Sequence, residues 1–309
     1  MNLLHFKYAV EIAKTHSISK AAENLYMGQP NLSRAVRELE EDLGVAIFKR
    51  TSRGISVTPE GEQFLQYARR IIAQVDQVEQ IYKGGAAHKQ RFSLCAPRAS
   101  YIAQAFAQFA AGMEQDAPAE FFYKETNSMD AINSVLGEDC NLGIVRYQAA
   151  FDKYFKSLFA EKRLSGELVA EFSYVLLVSQ NHPLAARGEI ALSDLSGYPE
   201  ICHADAYVPN LPLPDVKKAE LLGVTDKHLY VYERASQFTL LEKLPGAYMW
   251  VSPVPQELLE RYRLVEKHCA QNDKVYKDVL ICRKGYSLSA LDARFITALT
   301  QARRAYLPA

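Results

Sequence analysis

The sequence predicts an α/β chain in two parts. An N-terminal winged helix-turn-helix is joined through one long helix to a C-terminal part in which strands and helices alternate. Three observations carry this. In "GQPNLSRAVRELEEDLG" (28–44), Leu32, Val36, Leu39 and Leu43 recur at spacings of 4, 3 and 4, one buried helical stripe. From Phe64 to Tyr82 apolar residues keep a seven-residue repeat. From Phe92 onward, strand-like and helix-like segments alternate, the pattern of a parallel sheet with helices on its faces.

Length and charge set the bounds. A chain of 309 residues suggests two domains. Its 36 basic and 36 acidic residues cancel, so no bulk polycation is on offer. Residues 1–91 carry a slight positive excess and the remainder a matching negative one, which mildly favours an anionic partner for the N-terminal part. Cys95, Cys140, Cys202, Cys269 and Cys282 form no CxxC pair and are expected as reduced thiols in a cytoplasmic protein. Neither a signal peptide nor an 18-residue apolar run is present, so no membrane partner is expected.

Leu3, Phe6, Val10 and Ala13 define the first helix. The second starts near Ser19, a suitable N-cap, and its Ala21 and Ala22 let a neighbour approach closely. The third takes Pro30 in its first turn, where the missing N–H costs nothing. Opposite its apolar stripe lie Pro30, Arg34 and Arg37, flanked by Asn31 and Ser33, with Gln29 at the start. Arg suits guanine edges, and Gln or Asn suits adenine edges, so this face fits a major groove. An ordinary helical hairpin with a solvated face would show the same periodicity. "VAIFKRTSRGISV" then reads as a basic hairpin, with Lys49, Arg50 and Arg53 placed for phosphates as a wing. From Pro59 the long helix presents Phe64, Ala68, Ile71, Val75, Val78 and Tyr82 as a seam for a partner helix. "KGGAAHKQR" (83–91) follows as a hinge.

The stretch "SISKAAENLYMGQPNLSRAVRELEEDLGVAIFKRTSRGISVTPEG" resembles the winged helix-turn-helix of LysR-type transcriptional regulators. The matching residues are the Ala pair 21–22, Gln29-Pro30, Ser33, Leu39-Glu40, Leu43-Gly44, Phe48 with Arg50, and "TPEG" at 58–61. Gly28 departs from the capping Ser usual there and supplies no side-chain oxygen. The tripeptide His182-Pro183-Leu184 also fits the family, so the resemblance covers essentially the whole chain.

That resemblance implies a DNA-binding domain over 1–58, a dimerising linker helix and hinge over 59–91, and an effector domain over 92–309. The effector domain would resemble a periplasmic binding protein, with lobe I about 92–162 and 268–309 and lobe II about 163–267. It implies double-stranded promoter DNA, a small-molecule effector, a second copy of the chain (dimer or tetramer) and RNA polymerase as partners. DNA-contacting residues would be Gln29, Pro30, Asn31, Ser33, Arg34, Arg37, Arg50 and Arg53. The effector would meet Arg98, Ser100, Thr126, Asn127, Ser128, Arg146, Cys202 and His203. Tyr248, where the family has a second glycine, and Trp250 would line the cleft or point into the lobe core. Helix starts at Ser100 and after Thr126 favour an anion, so the expected effector is a small carboxylate. The histidines lack metal spacing, no phosphate-binding glycine loop occurs, and neither catalysis, a cofactor nor a metal is expected. The rival reading is a small-molecule-binding or enzymatic domain whose N-terminal helices only dimerise; the basic wing speaks against it.

Overall fold

A computed structural model describes residues 2–51, 54–82, 89–114, 117–212, 224–269 and 271–307. The chain divides into two compact units, Met1–His88 and Lys89–Ala309.

The first unit contains α1 (Leu3–Thr15), α2 (Ile18–Asn24), α3 (Gln29–Leu43), the hairpin β1 (Phe48–Thr51) and β2 (Gly54–Val57), and α4 (Pro59–Tyr82). The Asn2 side chain caps α1. The cap of α2 is Ser17, which accepts from the Lys20 N–H at 3.4 Å, two residues before the expected Ser19. Gly28 starts α3 with no side-chain cap, and Gly44 ends it in the left-handed region at φ 70°. Leu32 and Leu39 are fully buried. Each contributes roughly 1.5–3 kcal/mol on leaving water. Leu32 packs with Ile12, Ala21 and Val36, and Leu39 with Phe6, Ile47 and Leu65.

Two polar contacts fix the strands to the helices. The Glu40 carboxylate accepts from the Ile47 N–H at 2.7 Å and the Phe48 N–H at 3.0 Å. The Thr58 hydroxyl donates to the Ala46 carbonyl at 2.6 Å and accepts from the Gly61 N–H at 2.9 Å, capping α4. A Cβ on Gly61 would stand 2.2 Å from the Ile47 carbonyl oxygen, so the helix can start against this strand only with glycine there.

The second unit holds two five-stranded sheets. Lobe I carries β3 (Gln90–Ala96), α5 (Ser100–Ala111), β4 (Ala119–Glu125), α6 (Ser128–Leu136), β5 (Leu142–Gln148), α7 (Asp152–Glu161), β6 (Leu164–Ser173) and, much later, β12 (Val275–Arg283) and α10 (Ala290–Tyr306). Its strand order is β4-β3-β5-β12-β6. The sheet is mixed: β3 runs parallel to β4 and β5, and β12 runs antiparallel to β5 and β6. Lobe II carries β7 (Val175–Ser179), β8 (Glu200–His203), β9 (His228–Val231), α8 (Arg234–Lys243), β10 (Tyr248–Val251), α9 (Gln256–Tyr262) and β11 (Leu264–Lys267), in strand order β11-β7-β10-β8-β9.

The lobe boundary differs from the expected one. β6 pairs with β12 along its whole length, which places residues 164–173 in lobe I. The chain therefore crosses at Tyr174, not near 162–163, and returns between β11 and β12. The cysteines also differ from expectation. Cys95 and Cys140, expected as thiols, are joined by a disulfide with Cα atoms 6.1 Å apart. Their 45-residue separation hides the reason: β3 lies beside β5, with Cys95 level with Gly143, and Cys140 sits just before β5.

Candidate functional site

The third helix delivers its polar face to solvent. Gln29, Pro30, Asn31, Arg34 and Arg37 are exposed and Ser33 is half-buried. Arg37 reaches back to the Ser33 hydroxyl at 3.4 Å. This is the face opposite Leu32, Val36 and Leu39. Tyr26, overlooked in the sequence, is 97% exposed in the turn before α3, with φ 53°. Lys49 is exposed on β1, which also carries Arg50. The Arg50 side chain and all of Arg53 lie outside the described residues.

Phe64 and Ala68 of the expected helix seam pack inside their own unit. Ala68 is fully buried, and Phe64 meets Phe6 edge to face at 5.2 Å. Both belong to the core of their own unit, because α4 packs on α1. Outward-facing apolar positions are Tyr67 and Ile71, four residues apart, with Ile71 41% exposed and Val75 half-buried. The side chains of Val78 and Tyr82 are outside the described residues.

In the second unit, two adjoining chambers lie between the lobes. The outer one, about 660 Å³ including its opening, is lined by Arg98, Thr126, Asn127, Ser128, Arg146, His203 and Asp205 among others. The other, about 630 Å³ including its opening, lies toward the crossing strands and is lined by Tyr174, Glu200, Cys202, His203, Trp250 and Lys274 among others. Tyr174, His203, Ala206 and Tyr276 border both.

Contacts across the cleft join the lobes. Arg98 grips Asp205 with both prongs, at 2.8 and 2.9 Å. The Arg234 Nε lies 2.7 Å from the Glu125 carboxylate. Tyr154 and Tyr207 share a hydroxyl contact at 3.1 Å.

Arg146 is committed elsewhere. Its Nε and Nη2 each lie 2.7 Å from Asp278, which also receives the Tyr101 hydroxyl at 2.5 Å. Burial opposes the Arg146 charge, but Asp278 outweighs it and raises the guanidinium pKa above its usual value. Asp278 sits at the irregularity in the β6–β12 pairing, where the strand bends. Burial, and then the Asp278 charge, push Tyr101 up, so it stays a hydroxyl donor.

The sequence-expected effector residues divide. Arg98, Thr126, Asn127, Ser128, Arg146 and His203 share the outer chamber, while Cys202 lies with His203 in the other. Ser100 is 4% exposed and does not line either chamber. Tyr248 is wholly buried among Leu176, Val178 and Leu195, its hydroxyl donating to Glu200 at 3.3 Å. It therefore belongs to the lobe II core and not to the cleft wall, whereas Trp250 lines the crossing-side chamber. The α6 start is less open than its sequence implied. The Asn127 side chain accepts from the Asp130 N–H, Thr126 donates to the Asp130 carboxylate, and Ser128 donates to the Arg146 carbonyl. Sequence reasoning also missed Asp205 and Asp278, single acids whose partners lie more than a hundred residues away.

Among the described residues no cluster fit for a metal ion occurs, and no helix is long and apolar enough to cross a membrane.

Known proteins agree with this layout. Residues 3–62 match the family described as bacterial regulatory helix-turn-helix protein, lysR family. The chain is 42% identical over 83 residues to the HTH-type transcriptional regulator BenM of Acinetobacter baylyi, an overlap spanning 27% of this chain and 27% of that regulator. It is 24% identical over 269 residues to the HTH-type transcriptional regulator AlsR of Bacillus subtilis, covering 85% of this chain and 83% of the relative. Full-length CbnR, solved in complex with its target DNA, matches with a TM-score of 0.62 at 16% identity over 98% of this chain and all of that one, a likeness of fold. These relatives are named as regulators, not enzymes. Residues 3–62 thus carry a lysR-family helix-turn-helix, and the chain as a whole is similar in sequence and in fold to LysR-type transcriptional regulators.

Proposed function

We propose that the chain binds promoter DNA through α3 and its wing, acts as a homo-oligomer in the cytoplasm, and transmits effector binding to RNA polymerase. The observation that carries this is the face of α3: Gln29, Asn31, Arg34 and Arg37 are turned to solvent by a stripe of buried Leu and Val on the other side. Self-association would use the Tyr67–Ile71–Val75 side of α4, as a dimer or a tetramer. A gel shift on the chain's own promoter at two salt concentrations tests the DNA reading. Binding should weaken with salt, and Arg34→Ala should cost roughly 1–3 kcal/mol. Equal affinity of wild type and Arg34→Ala, with equal salt slopes, overturns it.

The effector is proposed to be a small carboxylate. Support comes from Arg98, whose guanidinium fork holds the Asp205 carboxylate at the outer chamber. A ligand carboxylate has the same shape and charge and can exchange with Asp205 on Arg98, so binding would alter a contact that joins the lobes. Arg146 is a poorer seat, because Asp278 occupies its fork. Titration with benzoate, by calorimetry, should show weaker binding to Arg98→Gln and tighter binding to Asp205→Asn; no change in either overturns this effector class.

A further inference from the structure

The outer chamber is not polar throughout. Beside Arg98, Asn127 and Ser128, its lining includes the aromatic side chains of Tyr147, Phe151 and Tyr207. These three belong to one cluster built around Phe155. Tyr147 stacks on Phe155 at 4.2 Å and 12°, and Tyr207 meets Phe155 edge to face at 6.4 Å. Tyr147 is on β5 and Phe151 in the turn after it, both in lobe I, whereas Tyr207 comes from the loop after β8 in lobe II. The lobe II loop therefore brings a ring to an aromatic patch of lobe I.

The same loop carries the acid on the anion seat. Asp205 and Tyr207 are two residues apart, so their Cα atoms are separated by no more than about 7 Å. Each is fastened to lobe I, Asp205 by the Arg98 fork and Tyr207 by the Tyr154 hydroxyl at 3.1 Å. When a ligand carboxylate takes the place of Asp205 on Arg98, the tyrosine contact remains to hold the loop. Burial, then the Tyr154 hydroxyl, push the Tyr207 hydroxyl up to about 12, so no phenolate charge opposes an anion near neutral pH. A compact acid would fill the seat and leave the aromatic patch wet. A ring beside the carboxylate would cover it, and aromatic faces and edges favour another ring.

We infer that Tyr207 sets the specificity of the cleft: with Phe151 and Tyr147 it takes the ring of an aryl carboxylate whose carboxylate lies on Arg98. This deepens the carboxylate reading and rests on it.

The test is calorimetry on the full-length protein with benzoate, acetate and benzamide. Acetate keeps the carboxylate without the ring, and benzamide keeps the ring without the charge. Wild type should bind benzoate at least about tenfold tighter than acetate, the return from burying the ring. Tyr207→Ala should weaken benzoate about tenfold and leave acetate within about twofold. Tyr207→Phe keeps the ring and should bind benzoate within about threefold of wild type. Arg98→Gln should weaken both acids alike. Equal losses of acetate and benzoate in Tyr207→Ala would mean that the residue only holds the loop in place, and would overturn the inference. So would a wild type that binds benzoate no tighter than acetate, a comparison that needs no variant to fold. Benzamide separates the two readings: if it binds as tightly as benzoate, the carboxylate reading fails, while its loss on Tyr207→Ala still upholds the aromatic patch.

Discussion

Arg98, in the turn after β3, and Asp205, in the loop after β8, meet in a two-pronged ion pair across the cleft, with only 10% and 23% of their side chains exposed. One residue belongs to lobe I and the other to lobe II, so the pair exists only while the lobes are closed at this point. Asp205→Asn removes the charge and one acceptor. The unit should stay folded, but the lobes should separate more readily, read as a larger radius of gyration in solution scattering. Leaving Arg98 unmatched should also cost on the order of 2 kcal/mol against thermal unfolding, toward the lower end for a partly exposed pair. An unchanged scattering curve and melting temperature would show that the pair holds nothing.

Gly61→Ala should destabilise the first unit sharply. The added methyl would fall 2.2 Å from the Ile47 carbonyl oxygen and 2.9 Å from a Val57 methyl. Backbone on one side leaves little room to yield, so either α4 or the hairpin must shift, at a cost of about 3 kcal/mol or more. Urea unfolding followed by circular dichroism on residues 1–82 and on the whole chain measures it. Gly188→Ala, where a Cβ meets nothing within 4 Å, serves as the control.

Ile71→Asp should shift the chain toward monomer in analytical ultracentrifugation. Ile71 is exposed on α4 and its side chain is not part of the unit's core, so the fold should survive. Ala68→Asp, in contrast, should unfold the first unit, since Ala68 has no exposed surface. A charge at a half-apolar helix contact costs about 2–4 kcal/mol per partner. Sedimentation unchanged by Ile71→Asp would place the self-contact on another face.

Glu200 gives a pH dependence of definite sign. Burial raises its carboxyl from an ordinary 4.5 to about 7, with the Tyr248 hydroxyl pulling the other way. The folded state therefore holds a proton that the unfolded chain releases between pH 4.5 and 7. Stability from this group falls as pH rises through that window, and the whole cost is present above pH 7. Glu200→Gln should be nearly neutral at pH 5 and stabilising by about 2 kcal/mol at pH 8. Melting curves at the two pH values check it; equal shifts at both would exclude titration of Glu200 as the cause.

The parts of this protein legible in its sequence are those that depend on near neighbours. Leu32, Val36 and Leu39 fix the orientation of α3 within fifteen residues, so the exposure of Arg34 and Arg37 followed from periodicity alone. Thr58, Pro59 and Gly61 mark the start of α4 for the same reason. The cleft was less legible. Whether Arg146 is available depends on Asp278, 132 residues away, and on the β5–β12 register that sets them side by side. Tyr248 and Trp250 share strand parity, yet the first is enclosed by Leu176, Val178 and Leu195 while the second reaches the chamber; alternation could not separate them. Ala68 satisfied a seven-residue repeat while packing on α1, because a helix repeat does not say which neighbour it faces. The assignment of β6 to lobe I rested on a strand more than a hundred residues downstream.

The tyrosine stack at the crossings has a mechanical consequence. Tyr174 lies on the outgoing connection and Tyr276 at the head of the returning strand, and their rings are nearly parallel. The Asn272 amide also donates to the Tyr174 carbonyl at 3.1 Å, lacing the two connections together. Two flat plates in contact slide more easily than they part, since sliding keeps most of the dispersion contact that parting loses. The stack therefore ties the two connections together at the crossing while letting them slide, which makes it the expected pivot when the Arg98–Asp205 side of the cleft opens.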